Sequence, residues 1–508
     1  MLLDRRRFNS LSLAAAITGF GAGPLASEAA ASVAQPPAPE TSAEELCYMT
    51  IAQAGAALKA GKVTSVQLTR ACLDRIDTYN GKLAAYITVL HQGALAQAQR
   101  MDDEMKAGKY RGPLHGIPIG LKDNIDTANI RTTAASAACE SRIPTEDAPV
   151  ATRLREAGAV LLGKTNMGEF AATLTSFYGI VRNPWDLTRE PGGSSSGSGV
   201  SIASGLCFGA LGTDTGGSVR HPAHFCGVVG FKPTYGLVPI RNIIPLTFSL
   251  DHCGPLTRTV EDNAIMLNAI AGYDPADISS RDHAKEDYVA ALKQPVHGFK
   301  LGRPSAGFDV LDPEVEALVN TAIALLVTLT KGIQDVNMPD PVLATWTSLG
   351  AETYAWHKPQ FEATKNLYQP ANRAMLQALA DKDGGSASSY VDLSWKLQAL
   401  RRTIDSHFKE VDLVVLPTMV NPAHKLDFVR PPDYNWHDYT NSPEYNAYGI
   451  PAISVPCGFT RGGLPVGLTI AGPTFADGKV LALAHAYEQA TQWHLKRPPI
   501  SPTMEIPV

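Results

Sequence analysis

Three groups of residues in this sequence have the types and spacing for acyl-transfer chemistry. The first is Lys122, at the end of the alternating apolar run Ile117, Ile119, Leu121. The second is the glycine–serine cluster GGSSSGSG over residues 192–199. The third is Thr215-Gly216-Gly217-Ser218, preceded by Asp214. A serine hydroxyl is a weak nucleophile near neutral pH and needs a base to take its proton. A lysine held neutral by burial can be that base. Acyl transfer also needs donors aimed at the developing oxyanion. Successive N–H groups of Thr215, Gly216, Gly217 and Ser218 can supply them, because two glycines let the backbone curl inward. Asp214 is suited to fix that loop by accepting hydrogen bonds. The residue types alone leave open which serine attacks.

Two other serine patterns carry less chemistry. Residues 193–197 satisfy G-x-S-x-G, but the proline and charges over residues 187–191 make a poor strand, and a nucleophile elbow needs one. Ser406 and Lys409 satisfy S-x-x-K on a polar helical segment, with no Lys-Thr-Gly motif to accompany them.

The elements that must position these groups can be read from periodicity. Residues 117–121 alternate as a strand that delivers Lys122 at its end. Residues 159–162 read as a buried strand leading into Gly163-Lys164-Thr165-Asn166. The run with Ile202, Leu206, Phe208 and Leu211 marks residues 192–220 as folded, since a linker is polar throughout. Thr64 with Gln67 predicts a capped helix whose buried face carries Leu68, Ala71, Cys72, Ile76 and Tyr79 and which ends at Asn80-Gly81. Thr259 with Asp262 starts another helix. Residues 411–416, VDLVVL, fit a strand buried on both faces. Residues 452–456 and 465–471 read as two strands joined by a turn, followed by a helix over 478–491. Residues 228–240 suggest short strands, and residues 280–410 are mostly helical in pattern. Helices alternating with strands predict an α/β protein, a large α/β sandwich.

The segments GIPIGLKDN, GKTNMGEF, NPWD, PGGSSSGSG, GTDTGGSVRHPA, GVVGFKPTYG and DHCGPLTRTVED, in this order, resemble the amidase signature family. PAISVPCGF and GLPVGLTIAGP resemble its final strands. The likeness runs from about residue 42 to the C-terminus and is weakest between about 280 and 400. It implies a single large α/β/α sandwich around a mixed, mostly parallel sheet, and amide hydrolysis by a Ser-cisSer-Lys triad, with Ser218 as nucleophile, Ser194 on a cis peptide as relay and Lys122 as base. It implies an oxyanion hole from the N–H groups of Thr215, Gly216, Gly217 and Ser218, support from Ser195, Asp214 and Arg220, and neither metal nor cofactor. Two positions depart from the family pattern: Ser196 replaces a glycine and Gly168 an acidic residue. His221, His224 and His252 lie near the motifs, where packing is the simpler role.

Composition bounds the partners. The 508 residues are 44% hydrophobic and 18% charged, with a net charge of -5. Nothing there suggests nucleic acid, and a small molecule fits better, which the resemblance makes an amide. Seven scattered cysteines without a CxxC pair argue against a zinc site or a disulfide framework. Arg5-Arg6-Arg7-Phe8, an apolar run over residues 11–25 and Ser32-Val33-Ala34 together resemble a twin-arginine export signal over residues 1–34. Residues 35–41 read as a linker and residues 42–505 as the amidase domain. The expectation is then a periplasmic or secreted amidase that meets the export machinery transiently. Its apolar run is shorter than the ~20 residues of a membrane span, so no stable insertion is expected. Two alternatives stand beside this: one component of an amidotransferase that works on a charged tRNA, and an exported binding protein on an inactive amidase scaffold.

Overall fold

The run that ends at Lys122 forms a strand, and ten others join it. The computed structural model of the chain describes residues 42–340, 349–429 and 440–506. The export signal and linker expected over residues 1–41 lie outside them. The strands of the described residues are, in chain order, β1 (Tyr86–Val89), β2 (Pro118–Lys122), β3 (Val160–Thr165), β4 (Gly209–Asp214), β5 (Val229–Lys232) and β6 (His252–Thr257). They continue with β7 (Leu301–Pro304), β8 (Ile333–Val336), β9 (Leu413–Pro417), β10 (Ala452–Phe459) and β11 (Pro465–Ala471). All eleven belong to one sheet, in the order β1-β3-β2-β4-β6-β5-β10-β11-β9-β7-β8.

The sheet is mixed, as the sequence predicts, but it is not mostly parallel. Only β2–β3, β2–β4, β7–β8 and β7–β9 are parallel pairs. The others, including β4–β6, β6–β5, β5–β10, β10–β11 and β11–β9, are antiparallel. Every residue of β2 to β6 and of β9 is buried, so both faces of these strands are covered. A strand covered on both faces reads as one apolar run whichever way its neighbour points. Direction comes from the connections instead: a tight turn at Thr460–Leu464 joins β10 to β11 and fixes them antiparallel.

The helix starts follow their caps. Thr64 Oγ1 accepts from the Gln67 amide at 3.1 Å, and the Gln67 side chain accepts from the Thr64 amide at 2.8 Å. That helix, Ser65–Leu83, buries the predicted face and runs past Asn80-Gly81 to stop at Ala84, whose φ is 51°. Thr259 Oγ1 caps the helix Val260–Ile270 through the Asp262 amide at 3.1 Å.

Residues 192–220 are folded, as their apolar run predicts. They form the helix Ser196–Ala203, the strand β4 and a loop that enters the helix Arg220–Cys226. The helix Ser196–Ala203 is buried on all sides, so its serines need partners. Ser198 Oγ meets Thr165 Oγ1 of β3 at 2.8 Å and donates to the Leu211 carbonyl of β4 at 3.0 Å. Ser201 Oγ donates to the Gly197 carbonyl at 2.6 Å. The mostly helical segment 280–410 contributes the short strands β7 and β8, which the pattern does not announce. All seven cysteines are free and buried. Among the described residues no helix is long and apolar enough to cross a membrane.

Candidate active site

β2 and β4 are parallel neighbours in the register Leu121↔Leu211. Both therefore end at the same edge of the sheet, where α/β proteins place their ligands. β2 delivers Lys122 there, and β4 delivers Thr213, Asp214 and the loop to Ser218.

Lys122 is fully buried. Its Nζ lies 2.8 Å from Ser194 Oγ, donates to Thr213 Oγ1 at 2.8 Å and approaches the Thr213 carbonyl at 3.4 Å. Burial pushes its pKa down from 10.5 to about 7, although the Asp214 and Asp251 carboxylates oppose that. Burial thus brings the free amine within reach of neutral pH.

Ser194 follows a cis peptide bond from Gly193. Its carbonyl accepts from the Gly168 amide at 3.0 Å, which ties the relay position to the GKTNMGEF segment. The Ser195 amide donates to the Ser218 carbonyl at 3.1 Å, so the two clusters of the sequence are bonded to each other. Ser195 Oγ donates to the Thr213 carbonyl at 3.1 Å and lies 3.2 Å from the Thr213 amide. Of all residues from 192 to 220, Ser218 alone is not buried. It opens, with Ser194, Thr215 and Gly216, into a cavity of about 310 Å³.

The loop carrying Ser218 is wound around Asp214. The carboxylate accepts from the Gly217 amide at 2.7 Å, the Val219 amide at 3.1 Å and the Arg220 amide at 3.4 Å. The Arg220 guanidinium binds both oxygens at 3.0 Å. Burial alone would raise the Asp214 pKa, but Arg220, Lys232 and Asn446 together hold it far below the usual carboxylate range. The Gly217 N–H, expected in the oxyanion hole, is thus engaged by Asp214. The Gly216 and Ser218 amides have no acceptor among the described residues, and they stay free to donate. Gly217 has φ 123°, and a Cβ there would collide with the His221 ring.

Several residues of the site escape sequence reasoning. Asn446, from the helix Pro443–Tyr448, accepts from Arg220 at 2.6 Å and donates to the Asp214 carbonyl and carboxylate at 2.8 and 2.9 Å. Asp251 accepts from Thr215 Oγ1 at 2.5 Å and from the Leu246 and Thr247 amides at 3.0 and 3.2 Å. Burial raises its pKa to about 7 against those hydrogen bonds. Asp251 opens the segment DHCGPLTRTVED, so its position is visible in the sequence but its partner is not. Asn446 carries no local signal.

The three histidines divide. His221 lines the Ser218 cavity, with Nε2 2.8 Å from Thr440 Oγ1, and burial lowers its pKa to about 3. His224 accepts from the Gly467 amide of β11 at 2.9 Å, and His252 Nδ1 lies 2.7 Å from the Leu250 carbonyl. Both are packing residues, and burial keeps both neutral at pH 7.

Known proteins resemble this chain over most of its length. The family model described as Amidase matches residues 67–481. The chain is 39% identical to a glutamyl-tRNA(Gln) amidotransferase subunit of Geobacter sp. (strain M21), over 90% of this chain and 100% of that protein. Among solved structures, native peptide amidase from Stenotrophomonas maltophilia superposes with a TM-score of 0.77 at 32% identity, covering 89% of this chain and 98% of that one. A chain from a vestigial protein complex tied to the origins of an s-triazine catabolic enzyme gives a TM-score of 0.81 at 26% identity, covering 89% and 100%.

Proposed function

The chain belongs to the amidase signature family, whose members here are enzymes acting on C–N amide bonds, and from that premise we propose that it cleaves a carboxamide through an acyl-enzyme on Ser218. The observation that carries this reading is the 2.8 Å approach of a fully buried Lys122 to Ser194 Oγ, in the cavity wall that also holds the one serine of the stretch that is not buried.

In the proposed sequence Lys122 takes the proton of Ser194, and Ser194 takes that of Ser218. Ser218 Oγ bonds to the amide carbon. The carbonyl oxygen gathers negative charge against the Gly216 and Ser218 amides, with Thr215 held beside them by Asp251. As the C–N bond breaks, the relayed proton passes back through Ser194 to the leaving nitrogen. Water then attacks the acyl-enzyme by the same relay and releases the acid.

A second reading is favoured by the sequence relatives. In it the same site frees ammonia for transfer within an amidotransferase, and the chain works with partner proteins. Those relatives support an amidotransferase component more directly than an exported hydrolase, for which residues 5–34 are the support.

One experiment separates the readings. The purified chain, alone, is offered a panel of primary carboxamides, anilides and glutamine, and released amine is measured. Hydrolysis by the chain alone is expected, falling by about 10⁴-fold or more in Ser218→Ala. Full activity in that variant would remove Ser218 from the reaction. Activity that appears only with glutamine and a partner protein would transfer the assignment to the second reading.

A further inference from the structure

The cavity at Ser218 has a neighbour. The first chamber, of about 310 Å³, has Ala171, Ala172, Leu246 and Ala371 among its walls and no charged side chain among its described lining residues. The second, of about 170 Å³, is walled by Val181, Phe225, Met419 and Phe428, with Glu190 and Lys425 also on its lining. Leu174, Gly193 and His221 line both chambers. Leu174 packs so closely on Gly193 that a Cβ at residue 193 would overlap its Cδ2. Of the residues common to both chambers, which also include Thr175, Leu174 has the one large aliphatic side chain, and it is only half-buried.

Size and polarity limit what can enter. An apolar cavity of about 150 Å³ holds a benzene ring. The second chamber has room for one ring and the first for a larger group. An ionised group buried without a partner is costly, so the first chamber selects against charge. In the proposed reaction Ser194, on the wall of the first chamber, returns the proton to the leaving nitrogen, and its cis neighbour Gly193 lines both chambers and so leads from that nitrogen into the second.

We propose that Leu174 is a specificity-determining partition for an uncharged amide, with the acyl arm in the Ser218 chamber and the amine arm in the second chamber; this rests on the acyl-enzyme reading above. Leu174 sets how bulky the amine arm can be. Reaction at Ser218 then breaks the C–N bond across the partition, delivering the neutral amine to one side and leaving the acyl group on the other.

The test compares kcat/KM for a primary carboxamide, its anilide and its naphthylamide, all sharing one neutral acyl group, in the wild type, Leu174→Ala and Leu174→Trp. A second series varies the acyl group over a fixed amine and includes glutamine. Melting temperatures check that both variants fold. The expected result is an anilide-to-carboxamide ratio that rises about tenfold in Leu174→Ala and falls about tenfold in Leu174→Trp, the size of effect one small apolar group has in a pocket. The acyl-series ratios should move by less than about twofold, and glutamine should be a poorer substrate than the neutral amides. An unmoved amine ratio, a moved acyl ratio or a preference for glutamine overturns the partition while leaving Ser218-dependent hydrolysis intact. Absence of turnover on every member overturns both this inference and the function it rests on.

Discussion

Lys122 owes its chemistry to where its strand ends. An exposed lysine is protonated at neutral pH and cannot take a proton. Here burial lowers its pKa to about 7, and the nearby carboxylates limit the fall. The free amine exists above that value, so kcat/KM should rise with pH through an acid limb near 7 and level off above it. Burial also raises the Asp251 pKa to about 7, and the Asp251 carboxylate acts on Lys122 against burial. Removing its negative charge takes away a group that favours protonated Lys122. Asp251→Asn should therefore move the acid limb to lower pH, measured by a pH–rate profile on one neutral amide. A limb that stays put or moves upward contradicts the coupling. Lys122 and the two glycine–serine clusters stand out in the sequence as chemical signals, while the choice of Ser194 and Ser218 among their serines comes from the family resemblance. Asp251 is not legible as a partner of Thr215, because that contact exists only once residues 246–251 fold back over the loop.

At the scale of elements, the site depends on two parallel strands ending together and on a distant helix that locks the result. The alternating pattern of β2 is readable in the sequence, and so is the capped helix Ser65–Leu83. β4 is hidden inside a glycine-rich stretch, and β6 inside a polar-looking segment, because strands buried by tertiary packing need no pattern of their own. The helix Pro443–Tyr448 brings Asn446 to Arg220 from 226 residues away. Local sequence carries no trace of such a contact. Asn446→Ala would strip a buried ion pair of three hydrogen bonds. It should destabilise the protein by about 2–3 kcal/mol, read as a lower melting temperature, with a loss in kcat as the Ser218 loop loosens. A variant with unchanged stability and turnover would show that Asp214 and Arg220 hold the loop unaided.

For the molecule as a whole, the reading of an α/β sandwich stands, while the balance of parallel and antiparallel strands does not. Strand direction is set by connections spread over hundreds of residues, and burial on both faces erases the alternation that would have marked them. We keep export as a proposal resting on Arg5, Arg6, Phe8 and the apolar run after them. Fractionation of an Arg5→Lys/Arg6→Lys double variant checks it: the protein should stay in the cytoplasm, and unchanged delivery outside it would rule out twin-arginine transport.

Every step proposed for this enzyme passes through a covalent bond between the acyl group and Ser218. The direct measurement is intact-mass spectrometry after rapid acid quench of the enzyme with a neutral amide or its activated ester, followed by peptide mapping. One acyl group per chain, on Ser218, lost in Ser218→Ala and accumulating when Lys122 is replaced in an ester-driven reaction, is the expected result. An adduct on Ser194, Ser196 or any other residue, or hydrolysis that proceeds at full rate in Ser218→Ala, would contradict it.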